Sequence, residues 1–227
     1  MDIFKIGHRG AKGHIAENTI ASITKAIDIG VDGIEVDVHK CASGELVVFH
    51  DFTLDRVTNG TGEISKITLT ELKTLQVDGE FAIPTLDEVL GVINNSVLLN
   101  IELKGANTAE DVCRFIEDCV ENKGWAYRDF LVSSFQEDLL ERVYNKNKQV
   151  QIGVLTDISV HAAMVFAKKV HAVSIHPDYT MLTAHNVKEI QAMGCQVFTW
   201  TVNNQDDIDR MKRYGVDGII SDFPERL

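Results

Sequence analysis

Short β-rich apolar runs recur along the whole chain: Ile3 to Gly7, Gly33 to Val38, Val97 to Leu103, Phe130 to Ser133, Val150 to Leu155, Val170 to Ile175, Gln196 to Trp200 and Asp217 to Ser221. Most are separated by segments of helical period: Ala21 to Ile29, Ala109 to Val120, Gln136 to Tyr144, Val160 to Lys168, Thr183 to Met193 and Asp206 to Tyr214. Alternation of this kind argues for a parallel sheet, because parallel neighbours need a crossover and a helix is its usual form. Eight such units within 227 residues favour closure into a (β/α)8 TIM barrel over an open doubly wound sheet, and a single domain over residues 1–227.

Two regions break the rhythm. Leu46 to Phe49 is an extra β run, separated from the second strand by His39-Lys40-Cys41-Ala42-Ser43-Gly44. That linker reads as a hairpin turn, so the run is expected to return antiparallel on the second strand. Residues 52–81 then carry Thr-Asn-Gly-Thr-Gly and a short helical stretch from Leu69 to Leu75. The segment is too long for a simple loop and too short for a core, and reads as a small insertion between strands two and three at the barrel mouth.

In barrels of this type the active site lies at the C-terminal ends of the strands. The first strand ends in His8-Arg9, the second carries Glu35 and Asp37, its hairpin returns to His50-Asp51, and the third carries Glu102 and Lys104. Side chains alternate along a strand, so Glu35 and Asp37 point one way while Ile34, Val36 and Val38 point the other. The same spacing pairs Glu102 with Lys104. Three carboxylates in one small mouth cannot all stay ionised without a positive charge, because burying an isolated charge costs many kcal/mol. A hard divalent cation solves this, and an all-oxygen donor set suits Mg²⁺ or Ca²⁺, with Mn²⁺ also compatible, better than a structural zinc. Arg9 and Lys104 then bring the local charge to the value that accepts a phosphodiester monoanion. His8 and His50 supply one proton acceptor and one donor near neutrality. Acid, base and metal together read as phosphoryl transfer.

Plainer readings compete at single residues: a histidine at a strand end often only hydrogen-bonds a loop, and Glu-x-Asp often marks a solvated edge. The convergence of neighbouring strand ends favours chemistry. His14, His39, His161 and His185 fall in turns or on helices, and His171 at the start of the sixth parallel strand, where surface or packing roles are expected. His176, at the end of that strand, faces either the mouth or the core. Trp200 is the candidate to cover a substrate at the rim, although a tryptophan in a barrel can equally be core. Asp222 is read as capping or orienting a neighbour. Gly60 and Gly62 lack the Lys-Ser/Thr of a phosphate-binding P-loop and mark a turn.

The 22 Lys and Arg against 34 Asp and Glu give a net charge of −12, which repels polyanions and excludes nucleic acid as a natural partner. No apolar run could span a bilayer, no secretory segment opens the chain, and no amphipathic segment reads as a stable membrane contact. Four scattered cysteines read as reduced thiols, and the expected location is the cytoplasm. A homodimer is compatible with the chain, dimers being the commonest assembly.

His8-Arg9-Gly10, Glu17-Asn18-Thr19, Gly33 to Val38, His50-Asp51, Asn100 to Lys104 and Trp200-Thr201-Val202-Asn203 together resemble the glycerophosphodiester phosphodiesterases, in particular the short bacterial cytoplasmic type. The resemblance runs from about residue 3 to 224 and takes in Arg56 to Gly62, Ile83 to Glu88 and Gly215 to Pro224. Ala16 stands where a proline commonly precedes Glu-Asn-Thr, and Cys41 to Gly44 replaces the usual Thr-x-Asp-Gly turn. The resemblance implies hydrolysis of a glycerophosphodiester to an alcohol and sn-glycerol 3-phosphate. It implies Glu35, Asp37 and Glu102 as metal ligands, His8 and His50 as the acid/base pair, Arg9 and Lys104 on the phosphate oxygens, and residues 52–81 as a cap. The nucleophile is either water or the neighbouring glycerol hydroxyl. A lysophospholipase D of the same fold and a non-catalytic glycerophosphodiester binder are the rival readings; the first would want an apolar lip, the second would have lost a histidine or a metal ligand.

Overall fold

The computed structural model describes residues 3–227. Eight parallel strands close on themselves: β1 (Phe4–His8), β2 (Gly33–Lys40), β4 (Leu98–Leu103), β5 (Phe130–Ser134), β6 (Gln151–Thr156), β7 (Ser174–Pro177), β8 (Gln196–Thr199) and β9 (Gly218–Ser221). Closure is made by β1, which pairs in parallel with β9 on one side and β2 on the other. The remaining strand, β3 (Leu46–Val48), lies antiparallel on β2 with Val38 opposite Val48, as the hairpin reading requires.

Helices α1 (Ile20–Ile29), α3 (Leu86–Ile93), α4 (Ala109–Asn122), α5 (Glu137–Lys146), α6 (Val160–Lys169), α7 (Ala184–Ala192) and α8 (Gln205–Tyr214) follow or link the strands. They cover the outward face of the sheet, where Ile34, Val36, Val38, Leu99, Ile101 and Val132 are fully buried in the main core. Burying each such side chain is worth about 1.5–3 kcal/mol, which fixes the strand register: a one-residue slip would turn Glu35 and Asp37 into this core. Inside the barrel Ile6, Leu131, Phe198 and Ile220 form a separate apolar plug below the mouth.

Residues 52–81, with the one-turn helix α2 (Leu69–Leu72), build a third small core, in which Leu54, Ile64, Leu72, Val77 and Ile83 pack on Val47 of β3 and on Phe49.

Two local expectations are corrected. The run Val170 to Ile175 is strand only from Ser174: Val170 closes α6, its N–H bonding Phe166 O, and His171 turns the chain at φ 50. Val170 is apolar because it is buried between helix and sheet, and a short apolar run carries no mark that separates that role from a strand. His39 belongs to β2 and not to a turn; its ring is 2% exposed and bonds the carbonyl of His50 at 3.2 Å.

Candidate active site

Register brings the strand-end groups together before any loop is considered. His8 is the cross-strand partner of Glu35, and Asp37 that of Glu102, so their side chains rise on the same inner face. Glu35, Asp37 and Glu102 each offer a carboxylate oxygen, and these oxygens lie within 4.8 Å of one another. All three are buried or nearly so, and Glu35 Oε1 has no hydrogen-bond partner. Burial and the neighbouring Asp37 charge push Glu35 well above the usual carboxylate range and Glu102 to about 7. An orphaned buried carboxylate oxygen inside an all-oxygen donor set is what a hard divalent cation would satisfy, so these residues fit such an ion.

The loop after β1 shapes the cluster from above. Thr19 caps α1 by accepting from Ser22 N–H, while Asn18, at φ 57, donates from Nδ2 to Asp37 Oδ2 at 2.9 Å. Arg9 sits at φ 51 and gives its backbone N–H to Glu35 Oε2 at 3.0 Å. Its Nε stands 3.2 Å from Asp37 Oδ2 without a hydrogen-bond partner, and Nη1 donates to Glu17 at 2.8 Å. Lys104 Nζ donates to Glu102 Oε1 at 2.9 Å and lies 3.4 Å from His50 Nε2.

Each histidine is backed by a carboxylate. His8 Nδ1 donates to Asp222 Oδ1 at 2.6 Å, and His50 Nδ1 to Asp51 Oδ1 at 2.6 Å. The tautomer follows from these partners: with Nδ1 committed as donor, Nε2 is left to exchange a proton. His8 Nε2 stands 4.0 Å from Glu35 Oε2. Burial lowers both histidines from their ordinary value, only partly offset by the neighbouring acids.

A cavity of about 100 Å³ joins His8, Arg9, Glu35, His50, Glu102 and Lys104, with Phe135 and Trp200 on its wall. Trp200 donates its indole N–H to the carbonyl of His176 at 2.8 Å and meets Phe135 edge-on, ring centres 5.3 Å apart. His176 does not reach this cavity; its ring is fully buried in the barrel, bonded to Ser174 Oγ at 2.8 Å. A larger cavity, about 390 Å³, opens at the other end of the barrel between Phe4, Asp32, Gln151 and Gln196, away from the carboxylate cluster.

All eight residues singled out for chemistry or substrate contact therefore line or adjoin one mouth. Sequence reasoning left the supporting groups without roles. Asp222 as the orienter of His8 matches the expectation of an orienting residue, whereas Glu17, Asn18 and Asp51 stood only inside motifs, and Arg56 lies 39 residues from its partner Glu17.

The model of the glycerophosphoryl diester phosphodiesterase family matches residues 8–226. The chain belongs to this family. A glycerophosphodiester phosphodiesterase of Caldanaerobacter subterraneus is 36% identical, the match covering all of this chain and 97% of that protein. Among solved structures, an Oleispira antarctica phosphodiesterase in complex with the product sn-glycerol-3-phosphate superposes with a TM-score of 0.89 at 28% identity, over 97% of this chain and 93% of that one. A glycerophosphodiester phosphodiesterase of Thermotoga maritima gives 0.82 at 29% identity, over 99% and 96%. The chain is accordingly a hydrolase of the glycerophosphodiester phosphodiesterase family, folded as a (β/α)8 barrel.

Proposed function

We propose that this phosphodiesterase splits glycerophosphodiesters into an alcohol and sn-glycerol 3-phosphate, with a divalent cation, Mg²⁺ or Ca²⁺, held by Glu35, Asp37 and Glu102. The observation that carries the reading is the juxtaposition of that carboxylate trio with two histidines, each hydrogen-bonded through Nδ1 to its own carboxylate at 2.6 Å. The product seen in the Oleispira antarctica relative supports the same chemistry here. When bound, the cation supplies positive charge against the carboxylates and polarises a phosphoryl oxygen.

The protein's own groups do the rest. Arg9 and Lys104 present fixed cations to the remaining phosphate oxygens, in a mouth where charge is poorly screened. His8 and His50 work from Nε2, one taking the nucleophile's proton and the other giving one to the departing oxygen. Asp222 and Asp51 hold the rings with Nε2 turned to the reacting groups and stabilise the imidazolium form of each, which the base reaches on taking its proton and from which the acid starts, the role such a carboxylate plays behind a catalytic histidine. Trp200 and Phe135 form the apolar wall against the carbon skeleton of the substrate. Residues 1–227 act as one catalytic domain with 52–81 as its cap, a reading supported by the small core that fastens this segment to β3.

His8→Ala and His50→Ala are each expected to lose about 10²- to 10⁴-fold in turnover of glycerophosphocholine, measured as glycerol 3-phosphate released. Wild-type turnover in either variant would remove that histidine from the mechanism. Phe135, 40% exposed on the cavity wall, is the observation that favours a longer lipid substrate. A lysophosphatidylcholine arm in the same assay decides it: release of lysophosphatidate in preference to glycerol 3-phosphate would assign the lysophospholipase D reading.

A further inference from the structure

Among the described residues, Arg56 is the one side chain that hydrogen-bonds both Asp51, the carboxylate behind His50, and Glu17, the carboxylate behind Arg9. Its Nε donates to Asp51 Oδ2 at 2.6 Å and its Nη2 to Asp51 Oδ1 at 3.0 Å, a two-pronged pair. The same Nη2 donates to Glu17 Oε1 at 2.6 Å. Asp51 Oδ1 also accepts His50 Nδ1, and Glu17 Oε1 also accepts Arg9 Nη1, so each shared oxygen lies between Arg56 and a residue of the mouth. Arg56 does not line the cavity itself.

We propose that Arg56 is a positioning residue for hydrolysis, locking Asp51 and Glu17 so that His50 and Arg9 are held in their working orientations. The inference rests on the acid/base and phosphate roles given above to those two residues.

An exposed ion pair is usually worth little, and the Arg56 side chain is 47% exposed. Three features set this one apart. Glu17 is 8% exposed, so its charge has little water to replace a lost partner. The loop carrying Arg56 is fixed on both sides: Leu54 is buried in the small core, Leu54 N–H bonds Gly62 O, and Thr58 Oγ1 donates to Leu54 O at 2.7 Å. The planar guanidinium matches two carboxylates at once, which the point charge of a lysine cannot do. Both carboxyls are held at about 2, Asp51 chiefly by its hydrogen bond to Arg56, Glu17 by its bonds to Arg56 and Arg9 against the cost of burial.

The test compares wild type, Arg56→Ala and Arg56→Lys on glycerophosphocholine with the cation that supports wild-type activity, and adds millimolar guanidinium against sodium chloride of equal ionic strength. Arg56→Ala is expected to fall about 10- to 100-fold in kcat/KM, the usual cost of losing a group that orients a site residue. Arg56→Lys is expected to stay near the Ala variant, and guanidinium, unlike sodium chloride, to restore activity to Arg56→Ala only. Wild-type activity in Arg56→Ala or Arg56→Lys, or a loss that guanidinium leaves unchanged, would overturn the inference. A wild-type protein that releases no glycerol 3-phosphate would instead overturn the functional reading beneath it.

Discussion

His176 sits wholly inside the barrel, its Nδ1 without a partner, and burial drives its pKa down to about 3. The strand beside it is shaped for the ring: a Cβ on Gly153 would come within 2.6 Å of His176 Nε2, so only glycine fits there. In the unfolded chain this imidazole takes its proton near its ordinary value of 6.5, and in the folded protein only near 3. The unfolded state therefore binds more protons between those values, and stability is lost as pH falls through that window. At pH 5 the cost is about 2 kcal/mol relative to pH 7.5. Urea unfolding of wild type and His176→Asn at the two pH values isolates this group from His8, His39 and His50, whose lowered values act with the same sign. The stability gap between the two proteins is expected to narrow by that amount at pH 5; a gap that does not change with pH would contradict the account.

At the scale of elements, β2 does most to define the site. One alternating octapeptide sends Ile34, Val36 and Val38 into the main core and Glu35 and Asp37 into the mouth. That division was legible in the sequence because a strand has a period of two and the two residue classes cannot exchange faces. The hairpin to β3 and the eight parallel strands were legible for the same reason. What was not legible depends on contacts between distant turns: Arg56 finds Glu17 through the third dimension, and no local pattern marks either as a partner. His39 and Val170 were misplaced because element ends are set by packing, which periodicity does not encode. The segment 52–81 carries a prediction of its own. Leu54→Ala removes a buried anchor of the small core and should destabilise by about 2–4 kcal/mol locally. If that core holds Arg56 in place, proteolysis within 52–81 should quicken and turnover should fall several-fold while the barrel's main unfolding transition moves less. Unchanged turnover after Leu54→Ala, with the segment demonstrably loosened, would separate residues 52–81 from catalysis.

For the whole molecule, the question is how a chain of net charge −12 comes to bind an anion. Among the described residues the buried acids are Glu17, Glu35, Asp37 and Glu102, and Arg9 and Lys104 are drawn into the mouth beside them. Those two cations pair with carboxylates of the cluster, and a divalent ion on Glu35, Asp37 and Glu102 would leave them more free to face phosphate. Among the described residues no helix is long and apolar enough to cross a membrane, and Phe135 and Trp200 stand on the wall of the mouth. The central claim is that the carboxylate trio holds a cation required for glycerophosphodiester hydrolysis. It is tested most directly by stripping the protein with EDTA, confirming that it remains folded, and returning Mg²⁺, Ca²⁺ and Mn²⁺ separately while glycerol 3-phosphate released from glycerophosphocholine and glycerophosphoethanolamine is measured. The account predicts no release from the stripped protein and recovery with at least one of these ions, and neither recovery nor ion-induced thermal stabilisation in Glu35→Gln. Full activity in the stripped protein, or undiminished recovery in Glu35→Gln, would contradict it.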